Sequence, residues 1–189
     1  MNVKSLATGL GAVLMVLLGV VSFASPSWAY LQDDVDMLLE LRDCPVCILN
    51  EADLSGEDFA QVNLKIAELT DADLSQSNLN DANLMLAELG GANLSEANLV
   101  GAAMNGARLQ GANLSGADLT GVVLTQANID GANLQGANLQ DAELTAAVIG
   151  NADWRGANLK GANLRGAIWS EAILCNTVLP DGTVGDRNC

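Results

Sequence analysis

Large apolar residues recur at every fifth position from Leu54 to Leu174, in 25 units without one slip of frame. The run passes through Leu54, Phe59, Leu64 and Leu69, and later through Met104, Leu114, Ile129, Trp154 and Trp169. Two residues before these centres stands Ala in 21 units, the exceptions being Glu57, Val62, Ser77 and Val122. Asn or Asp usually separates the two, and Gly is common two residues after the centre, as at Gly101, Gly106, Gly111 and Gly116. A period of five is neither that of a helix nor that of a plain strand. Divided into two and three, it acquires a physical meaning. Ala and the centre lie two apart, so both face one side of a short extended stretch. The other three residues must turn the chain, which Gly and Asn tolerate. Four such corners close a square. Large centres then fill the interior, Ala lets opposite walls approach, and successive coils hydrogen-bond about 4.8 Å apart. The 25 units make a little over six coils, a rod on the order of 30 Å long.

Stretches such as Ala112-Asn113-Leu114-Ser115-Gly116 match the A-(D/N)-L-x-x consensus, and the chain resembles the pentapeptide-repeat family over about 130 residues. The resemblance implies an all-β solenoid, a right-handed quadrilateral β-helix; the period alone would not choose the hand. The expected organisation is a leader over 1–29, a helical cap over 30–46, the β-helix over 47–176 and a C-terminal cap over 177–189. Burying one Leu contributes roughly 1.5–3 kcal/mol, whereas ordering five residues costs about 5–10 kcal/mol. No coil stands alone, and stability has to come from stacking.

The first 29 residues are unlike the rest. Met1 to Lys4 is a short positive start, Leu6 to Ala24 is apolar, and Ser27-Trp28-Ala29 places small residues where a leader is cleaved. That is the layout of a secretory signal peptide, with a retained anchor as the alternative. Export implies an oxidising space such as the periplasm, and no membrane contact once the leader is gone; the resemblance adds the thylakoid lumen as a destination.

Open solenoid ends expose core and strand edges, and both ends of the repeat carry plugging residues. Asp33 to Arg42 is expected to form a short amphipathic helix with Val35, Leu38, Leu39 and Leu41 available to bury. At the other end Trp154 and Trp169 fit a bulky plug, with a ligand-binding aromatic pair as the alternative. Cys44 and Cys47 flank the start of the repeat, and Cys175 and Cys189 its end. The rod spacing puts the pairs about 30 Å apart, too far for a shared four-thiolate zinc site. Cys175–Cys189 is the expected late disulfide. Cys44-Pro45-Val46-Cys47 is read as a structural disulfide, with C-x-x-C redox chemistry and free thiols as alternatives.

The chain has no His, which removes imidazole-based nucleophile pairs and metal sites. No phosphate loop or dinucleotide fingerprint is present, and no cofactor, metal or catalytic residue is called for. Glu57 stands at an inward position with Ser77 one coil on. That is either a functional carboxyl or a first coil open to solvent. Ser55, Ser75, Ser95 and Ser115 form a column that reads as a structural hydroxyl ladder.

With 8 basic and 23 acidic residues the net charge is −15, which disfavours nucleic acid and anionic lipid. Asp33 to Asp73 holds 12 of the 23 acids, so the rod is most acidic at its start. Outward apolar residues Ile66, Met85, Leu86 and Val123 share one wall, and Val148 and Ile168 lie on the next. They read either as scattered surface hydrophobes or as a contact surface for an unknown protein partner or a second copy. The leading reading is thus an exported, non-catalytic structural or interaction module. Two alternatives follow: a DNA-mimic that binds gyrase, implied by the resemblance, and a C-x-x-C thiol–disulfide enzyme.

Overall fold

The computed structural model describes residues 28–189, and the expected leader falls almost wholly outside them. The chain runs through helix α1 (Trp28–Leu41), a four-sided β-helix, and a terminal hairpin of β1 (Leu174–Val178) and β2 (Val184–Arg187). The winding is a right-handed quadrilateral.

One unit shows how the sequence produces a corner. Ala117 N donates to Leu114 O at 3.1 Å across a four-residue turn. Its third residue, Gly116, has φ 66°, the requirement of a type II turn. Three further backbone bonds tie the unit to its neighbours. Asn113 N donates back to Ala92 O (2.9 Å), while Leu114 N and Gly116 N donate forward to Asn133 O (2.7 Å) and Gln135 O (2.9 Å). Parallel bridges repeat this spacing of 20 residues from Asp43↔Asn63 to Asn158↔Val178. With two extended residues per wall, the coils pair through isolated bridges, and among the described residues only the final hairpin forms longer strands.

The core is four stacked columns of centres. One is Leu54, Leu74, Leu94, Leu114, Leu134, Trp154 and Leu174, and each of these residues is 3% exposed or less. The frame also reaches backward beyond Leu54. Leu49 and Cys44 occupy centre positions and Cys47 an Ala position, and all three are buried. The first two cysteines therefore lie inside the first coil. At the far end Thr177 takes an Ala position, buried, with Oγ1 donating to Trp154 O at 2.7 Å.

Outside the core, the residue between Ala and centre builds a second ladder. Asn133 Nδ2 donates to Asn113 Oδ1 (3.1 Å), Asn113 to Asn93 (3.0 Å) and Asn93 to Asp73 (3.0 Å). Asn113 Oδ1 also accepts from Ser115 N at 3.2 Å. The serine column is not a ladder, because Ser55 Oγ and Ser95 Oγ instead donate locally to Asp53 and Asn93. The side chain two residues back is simply nearer than the next coil. Replacing Asn113 with Ala removes one donor and one shared acceptor from mid-rod, and a loss of about 1–3 kcal/mol in a urea melt is expected.

Helix α1 begins at Trp28, earlier than expected, and closes on the first coil. Val35 and Leu38, three apart on one face, are buried. Leu39 (41% exposed) and Leu41 (67%) point away, so only half of the expected apolar set is used. Asp34 fastens the cap: its Oδ2 accepts Ile48 N at 2.7 Å and its carbonyl oxygen lies 3.4 Å from Cys44 Sγ. The helix ends as Arg42 N donates to Leu38 O, with Arg42 at φ 53°.

Candidate functional site

The described residues offer surfaces rather than an enclosed reaction centre. Among them no group of three or more His, Cys, Asp or Glu is placed to hold a metal ion. The structure joins Cys44 to Cys47 (Cα–Cα 5.5 Å) and Cys175 to Cys189 (Cα–Cα 5.4 Å). The first pair lies under α1, with Cys44 wholly buried and Cys47 4% exposed. Thiol–disulfide exchange needs an accessible sulfur, and this one is covered. Glu57 is half-buried, and Ser77 Oγ donates to Leu74 O at 2.7 Å rather than to the carboxylate. The two therefore form no coupled pair.

Four carboxyls on the surface are held by local hydrogen bonds. The Arg155 guanidinium, hydrogen-bonded to Asp153, holds that carboxyl below its ordinary value of 3.8 and raises its own. The Thr145 hydroxyl and then the Asn163 amide hold Glu143 below 4.5. Asp58 is lowered by the Ala60 N–H and then Arg42, and Asp181 by the Thr183 hydroxyl and N–H. A folded-state value below the unfolded one gives a contribution that is complete above the ordinary value. It is lost as pH falls through the lowered folded value. The melting temperature is therefore expected to stay level from neutral pH down to about 5 and to fall below about 4. Asp153→Asn should flatten part of that acid limb. Because these groups are exposed, the effect is modest.

The outward apolar residues divide by height on the wall. Ile66 (43% exposed) and Leu86 (49%) occupy the same corner in adjacent coils, joined by Ile66 N to Met85 O at 2.9 Å. Met85, beside that corner, and Val123, two coils beyond on the same wall, are half-buried. Val148 (37%) and Ile168 (60%) pair as a bridge on the neighbouring wall. Two residues escaped sequence reasoning: Val46 (65%) completes the corner below Ile66, and Ile48 (46%) stands next to it. The signal was available, since both fall in the same frame counted one coil backward.

The C-terminal end is only partly closed. Strand β2 covers β1, and Arg187 sits 5.1 Å from the centre of the Trp169 ring while its guanidinium donates to Trp169 O. Trp154 is fully buried as expected of a plug, whereas Trp169 is half-buried at the rim. Beside it Leu164, Leu179, Pro180 and Asp181 line a shallow open cleft.

The Pentapeptide repeats family pattern matches this chain in eight copies, over residues 47–85, 67–106, 87–126, 102–141 and 142–181. Among solved structures the chain is similar to HetL, a pentapeptide repeat protein involved in heterocyst differentiation regulation from the cyanobacterium Nostoc sp. strain PCC 7120. The two share 30% identity over 76% of this chain and 83% of HetL, with a TM-score of 0.34. A pentapeptide repeat protein from the Arabidopsis thaliana thylakoid lumen is 35% identical over 61% of this chain and 66% of its own, with a TM-score of 0.30. QnrB1, a plasmid-mediated fluoroquinolone resistance protein, is 20% identical over 70% of this chain and 78% of its own, with a TM-score of 0.49. Curated protein sequences gave no match. Coil geometry, unbroken frame and the family pattern over most of the described residues agree: the chain belongs to the pentapeptide repeat family.

Proposed function

We propose that this protein is an exported, non-catalytic scaffold that acts by contact with another protein. One observation carries the reading: exposed apolar side chains stand on one corner in successive coils of a rod whose walls are otherwise mostly polar. Scattered surface hydrophobes need no explanation, but a continuous row does. The contact residues are Ile66, Met85, Leu86 and Val123. Two features support export: the apolar run Leu6 to Ala24 ending at Ser27-Trp28-Ala29, and four cysteines that are all paired. The destination is periplasm or thylakoid lumen.

Co-purification from the native envelope or lumen tests the reading. A Met85→Glu, Leu86→Lys double variant is expected to lose the bound partner while keeping the parent's melting temperature within a few degrees. Unchanged partners and unchanged self-association would sink it. N-terminal sequencing of the purified protein checks export separately, with a start near Tyr30 expected.

A further inference from the structure

Fifteen non-glycine residues among those described have positive φ, and twelve of them are Asp, Asn, Glu, Gln, Arg or Ala. The exceptions are Val46 (φ 67°), Ile66 (φ 62°) and Leu86 (φ 59°), which occupy one corner in three consecutive coils. Val and Ile are β-branched, the residues least suited to the left-handed region. Later coils fill the same place with Gly106, Gln126 (φ 60°), Ala146 (φ 58°) and Gly166, so the fold has strain-free and polar solutions there, and only these first three coils carry a large apolar side chain. All three side chains are exposed, at 65%, 43% and 49%. Leu86 also leans over the next coil, where a Cβ added to Gly106 would lie 2.7 Å from Leu86 Cδ2. Strain combined with exposure gives the fold nothing, which is the pattern of a surface kept for binding.

The surroundings indicate what binds. Glu51, Glu68 and Asp71 stand on one side of the corner and Asp43 and Asp81 on the other. Arg42, Lys65 and Arg108 are the nearby cations; Arg42 is taken up by Asp58 at 3.3 Å and Arg108 by Glu88 at 2.9 Å. Glu51, Glu68 and Asp71 have no ion-pair partner among the described residues. The corner's backbone offers no free edge to an added strand, because Val46, Ile66 and Leu86 N–H groups donate to Lys65, Met85 and Asn105 carbonyls. A second copy would bring the same carboxylates and a net charge of −15. A helix fits. Coils repeat about every 4.8 Å and helical turns about every 5.4 Å, so three apolar residues at i, i+4 and i+7 meet the three corner side chains in register.

We infer that the Val46–Ile66–Leu86 corner receives an amphipathic α-helix laid along the rod, its apolar stripe on the corner and its flanking Lys or Arg residues on Glu51, Glu68 and Asp71. This deepens, and rests on, the reading of the chain as a contact scaffold.

The test is titration of the protein with a labelled amphipathic helical peptide of about 14 residues, Leu on one face and Lys on its flanks. Two control peptides replace Lys by Glu or scramble the order. The Leu/Lys peptide is expected to bind, weaken as salt rises, and lose about tenfold or more in affinity with Ile66→Asn or Leu86→Asn. Those same variants should melt at an equal or higher temperature, because Asn accepts positive φ. That gain separates loss of a docking surface from loss of fold. Equal binding to parent and corner variants, or equal binding of the scrambled peptide, would overturn the inference. So would a dimer seen by sedimentation that Ile66→Asn abolishes. In that case the scaffold reading survives and the helical partner does not.

Discussion

Truncating Leu114 to Ala is expected to lower the stability of the rod by about 2–5 kcal/mol. Leu114 is 2% exposed and stacks in its column between Leu94 and Leu134, with Ala112 and Ala117 closing the space beside it. Walls paired to coils above and below cannot collapse into the void, so the cavity persists and the cost lies above that of transfer alone. The control is Leu164→Ala, chemically identical but placed at the half-covered last coil, where Leu164 packs against the core only in part. Its loss should be less than half as large. Urea midpoints measure both. Equal losses would mean that the C-terminal end is as well packed as the middle, and no loss at Leu114 would contradict the inward register. Because each coil touches only its neighbours, Leu114→Ala should also broaden the transition by loosening the coupling between the halves.

The square cross-section was legible because the period holds in every unit and the chemistry agrees with it in most. Ala at one position, a large centre two later and Gly at the corner cannot all be satisfied by a helix or a flat sheet. The repeat's beginning was harder, since Leu49, Cys47 and Cys44 sit in frame while the consensus around them has decayed. Stepping back by fives from Leu54 places all three inside, as their burial confirms. The return of β2 had no periodic signal, although Pro180-Asp181-Gly182 is a turn sequence. Gly182 N donating to Leu179 O at 2.8 Å is that turn. Helix α1 was readable as amphipathic, but which of its leucines face the coil depends on docking angle, a tertiary property. The candidate surface was half legible. Hydropathy in steps of 20 found Ile66 and Leu86, while the conformational oddity at that corner needed φ. Even so, Gly at 106 and 166 was a hint that this column favours left-handed backbone.

The two ends of the rod are closed by different physics. At the start a helix lays Val35 and Leu38 over the first coil, and a short disulfide lies beneath it. A bridge spanning three residues removes little chain entropy, so the helix carries most of that closure. At the end no helix exists, and closure depends on a strand held by a longer covalent loop. The C-terminal clamp is therefore where a covalent change should matter most.

Replacing Cys175 and Cys189 together by Ser is expected to cost about 3 kcal/mol, the chain-entropy value for a loop of about 15 residues. The bridge closes a sequence separation of 14 and holds β2 against β1 at Leu174↔Arg187. Three weaker contacts depend on it. Arg187 stacks near Trp169, Asn188 Nδ2 donates to Ala172 O at 3.1 Å, and Asp186 Oδ1 accepts Asn176 N at 3.0 Å. None of them outlasts release of the strand, because each draws its effective concentration from the loop. The first consequence is thus local: Trp169, already half-buried, becomes wet while Trp154 stays inside. A red shift of tryptophan emission should precede the main urea transition in the Ser variant and be absent from the parent. Mild reduction of the parent should reproduce that shift, since the C-terminal sulfurs lie at the rim whereas Cys44 and Cys47 lie under α1. An unchanged midpoint and unchanged emission in the Ser variant would show that β2 stays docked without its bond, and that the last coil is closed by packing alone.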